Sequence, residues 1–385
     1  MFHFKLRSAL LSCASPVVFA LFALCVSPAA LAQASADLDE ALEHIVAPGD
    51  TLEGLARLYL ADPQQWPALQ QANQVANPRH LQPGSRLVIP AALLPTSQAQ
   101  VQFVQGVVQA TLPGGGNAST PAAQQTLPEG TRLQVGAQGF ISILLEDGST
   151  IRVHADSDLR LKQLRKRGRP GSVQSVIELQ RGLIEPVVPP SAEGTRRLHI
   201  RTPNATASVR GTRFTVHSTA DGRTLTTVTE GQVAVQGRLP SATLLSPGQG
   251  LAIAADGQIG IPRPLLAAPN LTTLPGQVQG TDALRVQLPP LAGASAYEVQ
   301  VARDNAFTQV LHTAFSGSND ITLPALEEGH YQLAVRALDD AGLPGQQAVR
   351  SLTVKAGSAP VPQVLSGAGL PVTTGDGQPL QRPRP

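Results

Sequence analysis

Apolar residues in this chain alternate with polar ones far more often than they recur at helical spacing. Over 205–216 small and β-branched residues point alternately in and out, and 228–235 repeats the alternation around Gly231. Period-two alternation of this kind predicts two strands that pair and bury one face, with Gly211 as a turn-former in the first. The same signal predicts strands over 101–110, 132–135, 139–145, 150–154, 159–164, 173–179, 183–188, 197–201, 223–229, 232–236 and 250–254. Glu146-Asp147-Gly148-Ser149 reads as a hairpin turn. From 284 onward the strands become short and even, over 284–288, 296–302, 309–314, 320–323, 329–337 and 351–354.

Residues 44–90 read differently, as a βααβ unit. A brief strand over 44–47 meets the turn Pro48-Gly49-Asp50-Thr51, and Leu52, Leu55, Ala56 and Tyr59 then recur on one helical face. Asp50 with Glu53 three residues on fits a capping box. Asp62 is a cap for a second helix, with Pro63 in its first turn and Gln65 completing the box. Trp66, Leu69 and Asn73 share that helix's inner face, where core packing is the expected role of the tryptophan. Pro78 and Pro83-Gly84 end the helical part, and 86–89 returns as a strand.

At 385 residues the chain is long enough for two or three domains with cores of their own. Charged residues are 15% and aromatics 3%, whereas glycine and proline number 35 and 33, which favours short strands and turns over long helices. Lys5 and Arg7, an apolar stretch over 8–26 and Ala30-Leu31-Ala32 make residues 1–32 a secretory signal, and export is expected, to the periplasm if the family resemblance given below holds. An uncleaved membrane anchor is the alternative. That leader holds two basic and no acidic residues, so its removal takes the formal charge from +2 to about zero, which does not point to nucleic acid. Both cysteines, Cys13 and Cys25, lie in the leader, so the exported chain is expected to have no thiol, disulfide or cysteine-ligated metal.

Three resemblances organise the rest. Gly49-Asp50-Thr51-Leu52, Leu55-Ala56, Trp66-x-x-Leu69-x-x-x-Asn73, Asn77-Pro78, Leu81-x-Pro83-Gly84 and Leu87-x-Ile89-Pro90 resemble the lysin motif, LysM, over 43–92. The resemblance implies a peptidoglycan-binding module that takes a glycan containing N-acetylglucosamine in a shallow groove. Gly49, Asp50, Thr51 and Leu52 would form one side, and Asn77, Pro78, Arg79, His80 and Leu81 the other. Backbone groups at such turns pair with an acetamido group while apolar side chains cover its methyl.

Thr202-Pro203-x-Ala205, Val209-Arg210-Gly211-Thr212-x-Phe214-x-Val216 and Val228-x-Glu230-Gly231-x-Val233-x-Val235 resemble the FecR-like periplasmic domain. Leu127-Pro128-Glu129-Gly130 and Leu245-Ser246-Pro247-Gly248-Gln249-Gly250 extend that likeness over 99–262. It implies an all-β domain for sensing and protein interaction, with an inner-membrane sensor or another envelope protein as partner. Seven residues precede the apolar leader, so the cytoplasmic anti-sigma domain of the regulators that name the family is not expected here. Gly293-Ala294, Tyr297-x-Val299-x-Val301 and Gly329-x-Tyr331-x-Leu333-x-Val335 resemble a fibronectin type III-like β-sandwich over 269–356, with Leu288 where that family carries tryptophan. Its implied role is spacer or protein contact. A linker is read over 91–100 and a disordered tail over 357–385. The fold expected is mainly β and multidomain.

No catalytic residue, metal site or cofactor is predicted. His154 and Asp158 have His-x-x-x-Asp spacing without a partner His-x-His, and no Gly-x-Ser-x-Gly elbow occurs. Adjacent Glu146 and Asp147 make a poor glycosidase pair. Residues 160–169 hold six basic side chains, read either as an anion site or as a solvated hairpin tip. The function expected is that of a non-catalytic envelope protein that holds peptidoglycan. A periplasmic signalling component and a cell-wall hydrolase with an unrecognised site are the alternatives.

Overall fold

The computed structural model describes residues 41–166, 173–190, 196–239, 241–279 and 283–355. The predicted leader, the predicted tail and positions 167–169 of the basic run lie outside the described residues.

The N-terminal unit comprises β1 (Leu42–Ile45), α1 (Leu52–Leu60), a 3-10 turn (Pro63–Gln65), α2 (Trp66–Ala72) and β2 (Arg86–Ile89). The two strands pair antiparallel, Leu42 opposite Ile89 and Ile45 opposite Arg86. Leu52, Leu55, Ala56, Leu60 and Leu69 pack beneath them with Leu87, Ile89 and Leu94, and Trp66 lies half-buried against this core. Asp62 caps the 3-10 turn as expected, accepting from the Gln64 N–H at 2.9 Å. The cap of α1 is Thr51, not Asp50: Thr51 Oγ1 accepts from the Gly54 N–H at 3.0 Å. Asp50 is unavailable because its carboxylate already accepts from the Ala47 N–H at 2.7 Å and meets His44 Nε2 at 2.8 Å. Asn73 staples α2 to β2. Its amide NH2 donates to the carbonyls of Leu69 (2.9 Å) and Val88 (2.7 Å), and its oxygen accepts from the Val88 N–H (2.6 Å).

Next come β3 (Gln98–Gln105), β4 (Val108–Thr111), β5 (Thr126–Pro128), β6 (Arg132–Val135), β7 (Phe140–Leu145), β8 (Thr150–Val153) and β9 (Asp158–Lys166). They continue with β10 (Val173–Val187), β11 (Arg196–Arg201), β12 (Thr206–Ser218), β13 (Thr224–Gln236), β14 (Ala242–Leu245), β15 (Gln249–Ile253) and β16 (Arg263–Pro264). All belong to one hydrogen-bonded network in the order β16-β15-β13-β12-β11-β10-β8-β7-β3-β5, with β14 on β13 and a branch through β9, β6 and β4. It closes on one apolar core that includes Val101, Ile141, Ile151, Leu161, Ile184, Phe214, Val216, Val228 and Leu251.

β12 and β13 pair antiparallel, Val209 opposite Val233 and Phe214 opposite Val228. Gly211 is not a turn: the strand runs through it, and the register shifts between Arg210 and Phe214. Gly211 (φ 64°) and Gly231 (φ 76°) form facing bulges so close that a Cβ on Gly231 would stand 2.3 Å from the Gly211 carbonyl oxygen. β13 is therefore one strand where the alternation suggested two, and β10 likewise joins the pair read over 173–179 and 183–188. Conversely, the strand read over 101–110 breaks at Gly106 (φ 67°) into β3 and β4.

The C-terminal unit has β17 (Gln277–Gln279), β18 (Leu284–Gln287), β19 (Ala296–Ala302), β20 (Val310–Ser316), β21 (Asp320–Leu323), β22 (Gly329–Leu338) and β23 (Ala348–Lys355). A five-stranded sheet, β17-β23-β22-β19-β20, faces the pair β18-β21 across a core of Val286, Leu288, Tyr297, Val299, Ile321, Leu333 and Leu352. Leu288 is 2% exposed in that core. Tyr331 O–H donates to the Glu327 carbonyl at 2.9 Å, the tyrosine-corner contact of Greek-key sandwiches.

Neither junction is a free linker. Residues 91–97, read as part of a linker, form a short turn whose Leu94 is buried in the first core, then pair along β9. Ser97 N–H donates to the Leu164 carbonyl (2.8 Å), and Arg165 donates to the Leu94 carbonyl (2.8 Å) while pairing with Glu129 (2.5 Å). At the second junction, the residues of β7, β8 and β10 that point away from the core meet the outer face of β19 and β22. Glu185 (1% exposed) pairs with Arg152 Nη2 at 2.6 Å and with Arg336 Nη1 of the sandwich. Arg336 also lies 3.9 Å from Glu298, whose other oxygen accepts from Gln300 at 2.6 Å. Burial opposes ionisation of Glu185, yet Arg152 and Arg336 outweigh it and hold the carboxyl well below its usual range. Phe140, Ala302, Phe307, Val310 and Ala334 form an apolar cluster beside these charges.

Candidate functional site

The two loops that carry the predicted glycan site leave the same end of the β1–β2 ribbon. Their bases are stitched together by Val46 N–H to the Ser85 carbonyl (2.9 Å) and Gly84 N–H to the Val46 carbonyl (2.8 Å). In the first loop Asp50 is structural. Hydrogen bonding from His44, then from the Ala47 N–H, lowers its carboxyl below the ordinary value of 3.8. The other ring nitrogen of His44 meets the Tyr59 hydroxyl at 2.9 Å, with the two rings edge to face. A chain of three side chains thus fixes the loop and leaves Gly49 and Thr51 exposed. Leu52 is 2% exposed, so its side chain serves the core.

In the second loop Asn77 Oδ1 accepts from the Arg79 N–H (3.1 Å), and the Asn77 carbonyl accepts from the His80 N–H (3.1 Å). This tight turn presents Asn77, Arg79 and His80 to solvent, with Pro78 and Leu81 half-buried. A depression of about 430 Å³ is lined by Asn77, His80 and Leu81 together with Asn73, Ser85 and Arg86. Gly49, Asp50, Thr51 and Leu52 do not line it; they belong to the facing loop. Ser85 and Arg86 were not singled out in the sequence, and Arg86 is tied to Glu43 across the ribbon (2.9 Å), a pairing that spacing along the chain does not signal.

The signature of the second domain is structural. Val209, Phe214, Val216, Val228, Val233 and Val235 are core residues. Asn204 ties three elements, donating to the Ala254 carbonyl (2.6 Å) and the Gly222 carbonyl (3.1 Å) and accepting from Thr224 (2.5 Å). The side chain of Arg210 lies outside the described residues. Within the basic run, Arg160 donates to the Gly130 carbonyl, Lys162 pairs with Glu178, Arg165 with Glu129 and Lys166 with Glu146. Among the described residues of the run, Lys162, Arg165 and Lys166 thus have carboxylate partners, and Arg160 meets a backbone carbonyl. His154 and Asp158 have separate partners: His154 stacks edge-on against Phe140 near Glu185, and Asp158 pairs with Arg132.

Family comparison agrees with this geometry. Residues 44–90 match the LysM domain model and residues 131–234 the FecR protein model, so the chain carries a LysM domain followed by a FecR domain. No curated protein sequence matches the chain. Among solved structures, it is similar to a protein of Parabacteroides distasonis described as an anti-sigma factor, with 19% identity and a TM-score of 0.30 over 34% of this chain and 59% of that one. A second structure with the same description gives 20% identity and a TM-score of 0.29 over the same shares. The extracellular domain of a protein from B. thetaiotaomicron described as a one-component system gives 11% identity and a TM-score of 0.17 over 57% and 43%. The chain spans about three fifths of the first two structures.

Proposed function

We propose that the protein is a non-catalytic component of the bacterial cell envelope. Its LysM domain holds peptidoglycan, and its FecR domain, backed by the C-terminal sandwich, meets a protein partner. Exported through its leader, the chain works in the periplasm, and an inner-membrane sensor is the partner that best suits a FecR domain placed there. The observation that carries the reading is the LysM match together with two exposed loops, Gly49–Thr51 and Asn77–Leu81, rooted at one end of the β1–β2 ribbon. A shallow site of this kind buries little ligand, so binding by one module is expected to be weak.

Co-sedimentation of the mature chain with purified sacculi tests this. Asn77→Ala is expected to lower the bound fraction, and Thr51→Ser, which keeps the helix cap, is expected to bind as the parent does. Equal retention of Asn77→Ala and parent would reject the loop assignment, and failure of the parent to sediment would reject the function. The signalling role is tested in cells by crosslinking through 99–262. Capture of an inner-membrane receptor supports it, and an unchanged envelope-stress response after deletion counts against it.

A further inference from the structure

The sandwich is open along one side. Among the described strands, β20 ends the five-stranded sheet and pairs with β19 alone, and β21 pairs with β18 alone. A groove of about 300 Å³ runs there, with residues 310–314 of β20 and Leu323 on one wall and Gly106, Gly139 and Phe140 of the FecR domain on the other. In an antiparallel pair alternate residues turn their N–H and C=O groups away from the partner, so about half of the β20 backbone groups face this side.

Edge strands are ordinarily blunted by brevity, charge or proline. The opposite edge of the same sheet, β17, is three residues long, and β18 and β21 carry the Arg285–Asp320 ion pair. β20 has no such device. Its seven residues, Val-Leu-His-Thr-Ala-Phe-Ser, hold no proline and no Asp, Glu, Lys or Arg. Phe315 at its end is 59% exposed, and Val107, next to Gly106 on the far wall, is 69% exposed.

The chemistry of the groove narrows what can cover it. None of the described residues lining it is Asp, Glu, Lys or Arg, and burial pushes the His312 imidazole below its ordinary 6.5, toward the neutral form. A charge entering here would be left uncompensated, so an uncharged segment is selected. Outside the described residues, 33–40 carries Asp37, Asp39 and Glu40, whereas 356–375 carries no charged side chain. Within that stretch Gln363-Val364-Leu365-Ser366 lies between Pro362 and Gly367, a short strand pattern bounded by breakers.

The starting point of the tail fits as well. Val354 stands opposite Gly329, Gln332 opposite Ala302 and Ala302 opposite Val310, so Lys355 leaves the sheet at the end where β20 begins. From β23 to a strand added outside β20 is four strand spacings, about 19 Å. The nine steps of extended chain from Lys355 to Val364 span about 30 Å.

We propose that residues 363–366 of the chain's own tail add to β20 as a sixth strand, which lays a branched side chain, Val364 or Leu365, in the groove and seals this side of the sandwich against strands from other chains.

Hydrogen exchange of the mature chain, read by mass spectrometry, tests the proposal. Amides of 363–366 are expected to exchange at least about tenfold more slowly than those of 375–378 in the same tail. Val364→Asp combined with Leu365→Asp puts charge into the segment and touches no contact within the domains, so this variant is expected to melt with the parent. Its β20 peptides are expected to exchange faster than the parent's while those of β22 stay unchanged. Equal exchange of the two parts of the tail, or β20 exchange that the double variant leaves unmoved, would overturn the proposal. Protection that disappears on dilution together with a dimer would overturn it too, by assigning the added strand to a second copy of the chain.

Discussion

Replacing Arg336 with methionine removes one of the two guanidinium groups that face Glu185, and burial decides how large the effect is. Arg57 and Glu53 on α1 are about two thirds exposed, and such pairs contribute about 0–1 kcal/mol. The side chains of Arg336 and Glu185 are 6% and 1% exposed, and removing one partner of a buried pair costs about 3–5 kcal/mol because the remaining charge cannot regain water. The four groups Arg152, Arg336, Glu185 and Glu298 cancel in charge, so Arg336→Met leaves one buried negative charge uncompensated. The loss falls on the junction between the FecR domain and the sandwich. Trp66, the one tryptophan, lies in the LysM domain, so its fluorescence reports that domain while far-UV circular dichroism reports the strands. In urea, the dichroism transition of Arg336→Met is expected to move to lower concentration and the Trp66 transition to stay. A fourfold variant, Arg152→Met, Glu185→Leu, Arg336→Met and Glu298→Gln, is expected to recover most of the loss, since apolar residues of similar volume often replace buried ion pairs at no net cost. A dichroism transition for Arg336→Met within about 0.5 kcal/mol of the parent, the scatter of ordinary surface substitutions, would refute this reasoning.

Asn73→Ala strips two hydrogen bonds between α2 and β2 and a third to the Leu69 carbonyl within α2, and is expected to destabilise the LysM domain by about 1–3 kcal/mol, read as an earlier Trp66 transition with the strand signal unmoved. Gly231→Ala combines a left-handed backbone with a Cβ 2.3 Å from the Gly211 oxygen, whereas Gly49→Ala meets nothing within 4 Å. The first should lower the melting temperature well beyond the roughly 1 kcal/mol of left-handed strain that bounds the second. Thr51→Ala loses the cap of α1 and should cost about 1 kcal/mol, with Thr51→Ser close to neutral. Burial pushes the His217 imidazole below its ordinary 6.5, so the folded chain resists a proton that the unfolded chain accepts. Stability is therefore expected to be level above that pH and to fall as pH drops from 6.5 toward the folded value. Urea midpoints should show a shallower fall in His217→Asn, and an identical fall would remove His217 as the cause.

The LysM unit was legible almost throughout because its signals are local: helical spacing at Leu52, Leu55 and Ala56, a cap at Asp62, and a turn at Asn77-Pro78. Asp50 misled because cap chemistry is shared by neighbours, and the deciding contact, His44, lies across a turn. Strand identity in the FecR domain was also legible, since alternation fixes which residues face the core. Strand continuity was not. Gly182, Gly211 and Gly231 punctuate the sequence like turns, yet pairing with neighbours distant in sequence carries each strand through them. The junction charges were hidden for the same reason: nothing local joins Glu185 to Arg336, 151 positions away. Arg165 gave a visible signal of the wrong kind, since a cluster of basic residues looks solvated until Glu129 and the Leu94 carbonyl are placed beside it.

That clamp at Arg165 decides how the molecule would stand on a wall. A module swinging on a loose tether samples a sphere and brings whatever it carries to any height within reach. Here the short turn after β2 is pinned to β9, so a LysM domain seated on a glycan strand would act as a bracket, holding the β-body at one stand-off and one tilt.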